Sequence, residues 1–334
     1  MGRKIAIDLG TSTLQIFVEG KGVVLNEPSV IAVDKYLNRV TRVGREAAEL
    51  IGREPEGIEV VRPIRDGVIS RFNHTVVMLQ RFLRKSCGRF IIPPGVVIAV
   101  PSIVTDVEEH AVRDAAVSAG LKDPYLIDEP VAAAIGAGVD VTADRGSMIV
   151  DIGGGTTDIA VICLGGAVVS SSIRVAGDEM TDAVVKYVRN KYSILIGEQA
   201  AEDAKILIGS VWRRDDIQTT TVKGKSLKSR APVITELSSN DMTEALEEPV
   251  TELIEEICAV IEKTPPELVT DIAENGIILT GGGSQIYGLD KIISSVTGLP
   301  VKYAEEPSLC VVKGAGRADT AGLIPLREKF KYKY

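Results

Sequence analysis

Two stretches of this chain repeat one pattern. Residues 4–24 read KIAIDLGTSTLQIFVEGKGVV and residues 147–169 read SMIVDIGGGTTDIAVICLGGAVV. Each has an apolar strand ending in Asp, a turn through Gly and Thr, a second apolar strand, a Gly-containing turn and the start of a third strand. Aligned with a two-residue gap, Asp8 matches Asp151, Gly10 matches Gly153 or Gly155, and Thr11 matches Thr156. A single Asp-Gly-Thr turn is an ordinary hairpin signal. Two in matching contexts predict two lobes of common design, and 334 residues suffice for about two domains at ~150 residues each.

The turns carry a specific chemistry. Glycines let the backbone approach phosphate oxygens so that consecutive N–H groups point at the anion, and Thr hydroxyls add donors. A carboxylate cannot bond phosphate directly, so the Asp that ends each strand is suited to holding a hydrated Mg²⁺, which keeps several of its waters. Two such loops facing each other clamp a triphosphate from both sides. A third Gly-rich strand end, Thr280-Gly281-Gly282-Gly283-Ser284, offers backbone that can pass beside a base and sugar, although alone it reads equally well as a packing turn. Walker A, the Rossmann GxGxxG and the kinase signatures are absent.

Between these motifs the periodicity alternates. Residues 72–86, 106–119, 130–138, 178–193, 198–209, 242–263 and 286–296 read as helices, and 96–101, 124–127 and 276–280 as buried strands. The stretches 29–65 and 180–242 read as insertions, with 213–233 an exposed hairpin or loop and the C-terminal REKFKYKY a solvated basic tail. Apolar residues make up 45% and aromatics 4%, so the cores are built from Val, Ile, Leu and Ala, as suits buried parallel strands among helices. A formal charge of −8 argues against nucleic acid as the main partner. Four scattered cysteines without metal spacing predict buried thiols in a reducing compartment. Asp8 interrupts the first apolar run, which speaks against a signal peptide. No window has the ~18 uncharged apolar residues of a membrane span.

The order Asp-Leu-Gly-Thr, Asp-Glu-Pro-Val-Ala-Ala-Ala, Asp-Ile-Gly-Gly-Gly-Thr-Thr-Asp and Thr-Gly-Gly-Gly resembles the actin, sugar-kinase and heat-shock-chaperone ATPases. Within that superfamily the chain closely resembles the MreB family, the rod-shape actins of bacteria, from end to end. GVVLNEPSV (22–30), RPIRDGVI (62–69), PSIVTDVE (101–108), LIDEPVAAAIGAG (126–138), GDEM (177–180) and YSILIG (192–197) carry the likeness. Three departures stand out. The first loop reads Gly-Thr-Ser-Thr where the family usually has Gly-Thr-Ala-Asn, Asp158 replaces Glu, and Ala204 replaces a larger apolar residue.

The resemblance implies an α/β fold of the two-lobed actin-like ATPase type. Its lobes are duplicated and ribonuclease-H-like, each with a mixed five-stranded sheet flanked by helices and a smaller subdomain. The first lobe would comprise 1–29, 65–142 and 312–334 with subdomain 30–64. The second would comprise 143–178 and 244–311 with subdomain 179–243. ATP and Mg²⁺ are the implied cofactors. Thr11, Ser12 and Thr13 would form one phosphate loop and Gly153, Gly154 and Gly155 the other. Asp8 and Asp151 would hold magnesium through water, while Glu129, with Thr156, would position the attacking water. Adenosine contacts fall to Gly177, Asp178, Glu202, Asp203, Ala204, Lys205, Gly281, Gly282, Gly283 and Ser284. The implied partners are other copies in filaments, arranged as paired protofilaments, together with the inner face of the cell membrane and membrane-embedded cell-shape proteins. Phe90, Ile91 and Ile92, beside Arg81, Arg84, Lys85 and Arg89, would make the membrane contact. The rival readings are a plasmid- or organelle-positioning actin, and a monomeric sugar-kinase or chaperone-type ATPase.

Overall fold

The computed structural model describes residues 4–88 and 90–318; the basic C-terminal tail and Arg89 lie outside the described residues. Two five-stranded mixed sheets dominate it. The first runs Lys122–Asp128, Gly95–Val100, Ile5–Leu9, Thr13–Val18, Gly22–Pro28 in spatial order. The second runs Val301–Tyr303, Ile277–Thr280, Ser147–Ile152, Thr157–Cys163, Gly166–Ile173. In both, the Asp-bearing strand is central, parallel to its neighbour on one side and antiparallel to its hairpin partner on the other. The repeat in sequence is therefore a repeat in topology.

Strand register removes the gap that the sequence alignment required. Asp8 stands opposite Gln15, and Asp151 opposite Asp158, so both hairpins are equally long. Gly10 corresponds to Gly153, Thr11 to Gly154, Ser12 to Gly155, Thr13 to Thr156 and Gln15 to Asp158.

The interior is aliphatic, as the composition requires. Met148, Val150, Ile159 and Val161 of the second sheet pack against Met180, Val184, Leu253 and Ile257 on helices Gly177–Tyr192 and Glu247–Lys263. In the first lobe, Ile5, Ile7 and Ile16 meet Met78, Leu79 and Phe82 of helix Phe72–Cys87. The two insertions each fold around a three-stranded sheet: Arg39–Val43, Ile31–Asp34, Ile58–Val61 in one, and Ile194–Leu195, Thr219–Ser226, Pro232–Ser238 in the other.

Two expected helices differ. The stretch 242–263 is two helices, Ser239–Ala245 and Glu247–Lys263, joined at Leu246. A Ser238–Asp241 capping box starts the first. Glu247, Glu248 and Pro249 suit the first turn of the second, where acidic side chains meet the positive dipole end and proline sacrifices no internal bond. The helix expected at 286–296 begins at Leu289, because Gly288 takes φ 88° and breaks the run after a 3₁₀ turn at Gly283–Gln285.

Helix Glu129–Gly136 crosses helix Cys310–Arg317 at backbone distance. A Cβ on Gly314 would lie 1.7 Å from the Ala132 carbonyl oxygen, and one on Gly136 1.9 Å from that of Cys310. Alanine gains ~1 kcal/mol over glycine in a helix interior, so propensity alone favours substitution. The crossing reverses that sign: Gly314→Ala is expected to lose about 1–3 kcal/mol in urea unfolding through overpacking. Gly166→Ala, whose Cβ meets nothing within 4 Å, should unfold close to the parent.

Candidate functional site

The two Asp-Gly-Thr turns face each other across a cleft and touch. A Cβ on Gly154 would sit 2.0 Å from Ser12 Oγ, and one on Gly155 2.7 Å from Thr11 Oγ1. Only glycine lets the loops approach this closely. Two bonds cross between the lobes, and one braces Thr11 within its own lobe. Ser12 Oγ donates to Asp178 Oδ1 (3.2 Å), the Gly67 N–H donates to Thr11 Oγ1 (2.9 Å), and the Ser102 N–H donates to Asp158 Oδ1 (3.0 Å). At the rim, Arg62 pairs with Glu198 at 2.8 Å.

Beneath the loops lies a cavity of about 530 Å³. It brings together Asp8, Thr11, Ser12, Thr13, Glu129, Asp151, Gly153, Gly154, Gly155, Thr156, Gly177, Asp178, Glu202, Lys205, Gly281, Gly282 and Gly283. Three expected contacts are not on its wall. Asp203 is exposed and accepts from Gln199, and Ala204 is buried in the second-lobe core. Ser284 is fully buried and donates to the Gly281 carbonyl at 2.8 Å, so it shapes the glycine turn from behind.

A helix presents one face by its 3.6-residue period, and four consecutive residues cannot all reach one cavity. On helix Glu198–Ile208 the wall is made by Glu202, Lys205, Ile206 and then Gly209. That spacing was available in the sequence and picks out Ile206, an exposed apolar side chain, where a contiguous reading picks Ala204. Gln15, Asn26, Gln285, Ile286, Pro307, Ser308 and Val311 also line the cavity. Of these, Gln15 and Asn26 were recoverable from register, since Asp8, Gln15 and Asn26 stand opposite one another across three strands. The remainder are brought in by long-range folding.

Lys205 is almost wholly buried. Its ammonium donates to Glu202 Oε2 (2.6 Å), the Gly177 carbonyl (2.6 Å) and Thr181 Oγ1 (2.8 Å). Three donors find three acceptors, so Lys205 orients Glu202 and the start of helix Gly177–Tyr192 and has no proton left for a ligand.

The floor of the cavity is acidic. Burial pushes the carboxyls of Asp8 and Asp151 up to about 7, with the Thr280 hydroxyl opposing the shift at Asp151 through a 2.8 Å bond. Burial raises Asp158 to about 6. Glu129, the first residue of helix Glu129–Gly136, is raised well above its ordinary value by burial and then by Asp158, Asp8, Asp151 and Asp128. Asp8, Asp151 and Glu129 line the cavity, and Asp158 lies buried behind its wall, close enough to raise Glu129 further. Among the described residues no group of three or more His, Cys, Asp or Glu is placed to ligate a metal directly.

The expected membrane triplet divides. Ile91 and Ile92 are exposed, at 99% and 74%, whereas Phe90 packs against the first-lobe core. Burying an aromatic ring is worth ~1.5–3 kcal/mol, which an adjacent core can supply. The basic cluster is also engaged internally. Lys85 pairs with Glu27 at 2.7 Å, and Arg81 donates to the Thr41 and Val40 carbonyls at 2.9 and 2.6 Å. No helix among the described residues is long and apolar enough to cross a membrane.

Two α/β lobes with equivalent sheets, closing glycine loops and carboxylates on one cleft, define the actin-like class. The MreB/Mbl protein family model matches residues 2–322. The cell shape-determining protein MreB of Escherichia coli K12 is 45% identical over 94% of this chain and 92% of its own length. The cell shape-determining protein Mbl of Bacillus subtilis is 42% identical over 98% of both. The crystal structure of Spiroplasma citri MreB5 bound to ADP aligns at TM-score 0.92 and 34% identity, covering 96% of this chain and 97% of that one. The MamK double helical filament, at TM-score 0.81 and 21% identity, shares the fold. The chain belongs to the MreB/Mbl family, and it is a cytoskeletal protein of the bacterial actin class.

The raised carboxyl values fix a sign. A carboxyl whose folded pKa exceeds its unfolded value binds more protons folded than unfolded between the two, so stability falls as pH rises through that window. For Asp8 and Asp151 the window runs from 3.8 to about 7. The thermal midpoint of the ligand-free protein is expected to drop between pH 5 and pH 8. An Asp8→Asn/Asp151→Asn variant should show a shallower drop; an equally steep one would refute the assignment.

Proposed function

We propose that the cleft binds ATP with Mg²⁺ and hydrolyses it, and that this cycle governs assembly of the chain into filaments on the inner face of the cell membrane, guiding cell-wall synthesis and rod shape. The observation that carries the reading is the closure of two glycine loops over a carboxylate-floored cavity. MreB5 relatives solved with ADP and with AMPPNP support an adenine nucleotide as occupant.

In this reading Thr11, Ser12 and Thr13 and the backbone of Gly153, Gly154 and Gly155 hold the phosphates from opposite sides. Gly281, Gly282 and Gly283 pass beside the base, Ile206 supplies apolar surface to it, and Glu202 and Asp178 face the sugar. Asp8 and Asp151 fit a hydrated magnesium, because both line the cavity and their buried carboxyls need positive charge. Magnesium, when bound, neutralises charge developing on the phosphates. Glu129 holds the attacking water in line and Thr156 helps orient it; positioning and charge neutralisation are most of what phosphoryl transfer demands. Glu129→Ala should slow phosphate release by about 10²-fold while ATP affinity stays within a few-fold. Undiminished turnover would remove Glu129 from the mechanism.

The lobe and subdomain boundaries given above are proposed to stand, with filament contacts running head to tail between subdomains of successive copies. Such a contact does not close on itself and so builds an open polymer. Light scattering should rise on adding ATP and Mg²⁺ above a critical concentration. A protein monomeric at every concentration would instead favour the kinase- or chaperone-like reading.

Membrane contact is proposed to rest on Ile91 and Ile92. Two partly inserted side chains bind weakly, and many copies in one filament bind firmly through avidity. Ile91→Ser/Ile92→Ser should lose co-sedimentation with anionic vesicles while still polymerising. Phe90→Ser should chiefly lower the melting temperature, since that ring packs inward.

A further inference from the structure

We propose that Gln15 and Asp158 are a matched pair of positioning residues that latch the two lobes together beneath the nucleotide, so that the pair governs how fast the cleft releases its occupant. This rests on the nucleotide-cleft reading.

The two residues occupy equivalent places. Each stands on the hairpin strand that follows the Asp-bearing strand, directly opposite that Asp: Gln15 opposite Asp8, Asp158 opposite Asp151. Both are buried, at 2% and 1% exposure. Each reaches a backbone group that its own sheet does not supply. Asp158 accepts from the Ser102 N–H (3.0 Å), just beyond strand Gly95–Val100 of the first sheet. Gln15 Nε2 donates to the Ser308 carbonyl (2.9 Å), in the segment between strand Val301–Tyr303 of the second sheet and helix Cys310–Arg317. The neighbouring Pro307 carbonyl accepts from the Gly281 N–H at 3.0 Å. The Gln15 bond therefore ties the first phosphate strand to the glycine turn of the opposite lobe.

The orientation of the Gln15 amide is settled by chemistry, because a carbonyl offers no proton and only the NH₂ end can face Ser308. That leaves Oε1 buried without a partner. Asp158 Oδ2 and Ser102 Oγ are likewise buried without a hydrogen bond of ordinary geometry, although the Ser172 and Thr156 hydroxyls stand near enough to Asp158 to lower its pKa. Only one other described side-chain atom, His74 Nδ1, shares this condition. Buried unpaired polar atoms cost stability and are rare in folded proteins. Three of the four lie at the two cross-lobe bonds, which sets these positions apart from the rest of the described interior.

The test uses the full chain and the variants Gln15→Leu and Asp158→Ala, read in two ways. The first is amide hydrogen exchange on the ligand-free protein. Gln15→Leu should speed exchange at Gly281 and Leu309, and Asp158→Ala at Ser102, each leaving the other's segment close to the parent. The second is release of a fluorescent N-methylanthraniloyl ATP from the Mg²⁺ complex, chased with unlabelled ATP. Release should quicken about 2- to 10-fold in each variant, the range spanned by one intramolecular hydrogen bond, while Asp158→Asn, which keeps an acceptor oxygen, should stay near the parent. Gln15→Leu should melt no lower than the parent, because it removes the unpaired acceptor together with the bond; this separates the latch from a folding defect. Unchanged exchange at these segments overturns the latch, as does parental release in both variants. A parent that binds no labelled ATP refutes the nucleotide reading, and the exchange result then decides the latch by itself.

Discussion

The approach of Gly154 to Ser12 and of Gly155 to Thr11 leaves no room for one extra carbon between the lobes. Everything functional is hung from that contact. It puts two sets of backbone N–H groups and hydroxyls on one small volume, and it puts the strand-ending carboxylates directly below them. It also keeps water from solvating those carboxylates fully, which is why burial dominates the upward shifts of Asp8, Asp151 and Asp158. A closed cleft is thus good geometry for an anion and poor electrostatics for its own floor. The proposed occupant, a polyanion arriving with a divalent cation, would resolve both problems at once, its oxygens meeting the donors and its cation the carboxylates. Closure and occupancy are then linked through the same few atoms, without any special relay between them.

The same contact explains why so much of the site could be read before the fold was known. Loop glycines and strand-end aspartates are local: their chemistry is fixed by neighbours in sequence, so Asp8, Asp151 and Gly153 to Gly155 were legible. The structure departs from the sequence reading where a residue's place depends on direction or on distant chain. Asp203 and Ala204 lie within a motif but on faces of helix Glu198–Ile208 turned from the cavity, whose wall takes Glu202, Lys205, Ile206 and Gly209 at the helical period. Phe90 belongs to an apolar triplet, yet its ring finds the first-lobe core while Ile91 and Ile92 remain outside. Pro307, Ser308 and Val311 are brought to the cavity by a segment far away in sequence, and no local pattern announces them.

The fold was legible for a related reason. Buried parallel strands and amphipathic helices leave strong periodic signals, and the repeat fixed their duplication. Within the second insertion, residues 213–233 were read as an exposed hairpin or loop, and the hairpin they hold is largely solvated: Thr219–Ser226 alternates exposed with half-buried or buried positions in a polar, Lys-containing sequence. Boundaries drifted where caps compete with periodicity. At Leu246 an apolar residue continues the helical pattern, while the acidic pair and proline that follow suit a new first turn, and the chain restarts there.

Duplication gives the cleft symmetric walls, and chemistry requires them to differ. The proposed hydrolysis needs one water-positioning carboxylate, and Glu129, the residue proposed for it, sits where the outer strand of the first sheet passes into helix Glu129–Gly136. In the second sheet the outer strand Val301–Tyr303 instead enters a longer segment before its helix begins at Cys310. That segment lines the cavity with Pro307 and Ser308, whose carbonyls accept from Gly281 and Gln15, and has no acid at the helix start. The difference extends to the hairpin strands. Asp158 lies close enough to Glu129 to raise its pKa, so the two carboxyls share a region of unfavourable charge; the equivalent Gln15 is neutral and faces a carbonyl. A second carboxylate at position 15 would face the Ser308 oxygen, which offers it no proton, and would add a further negative charge beside Asp8. The amide keeps the geometry of the duplicated hairpin and, in the proposed reading, leaves the first sheet's outer strand to carry the water-positioning carboxylate alone.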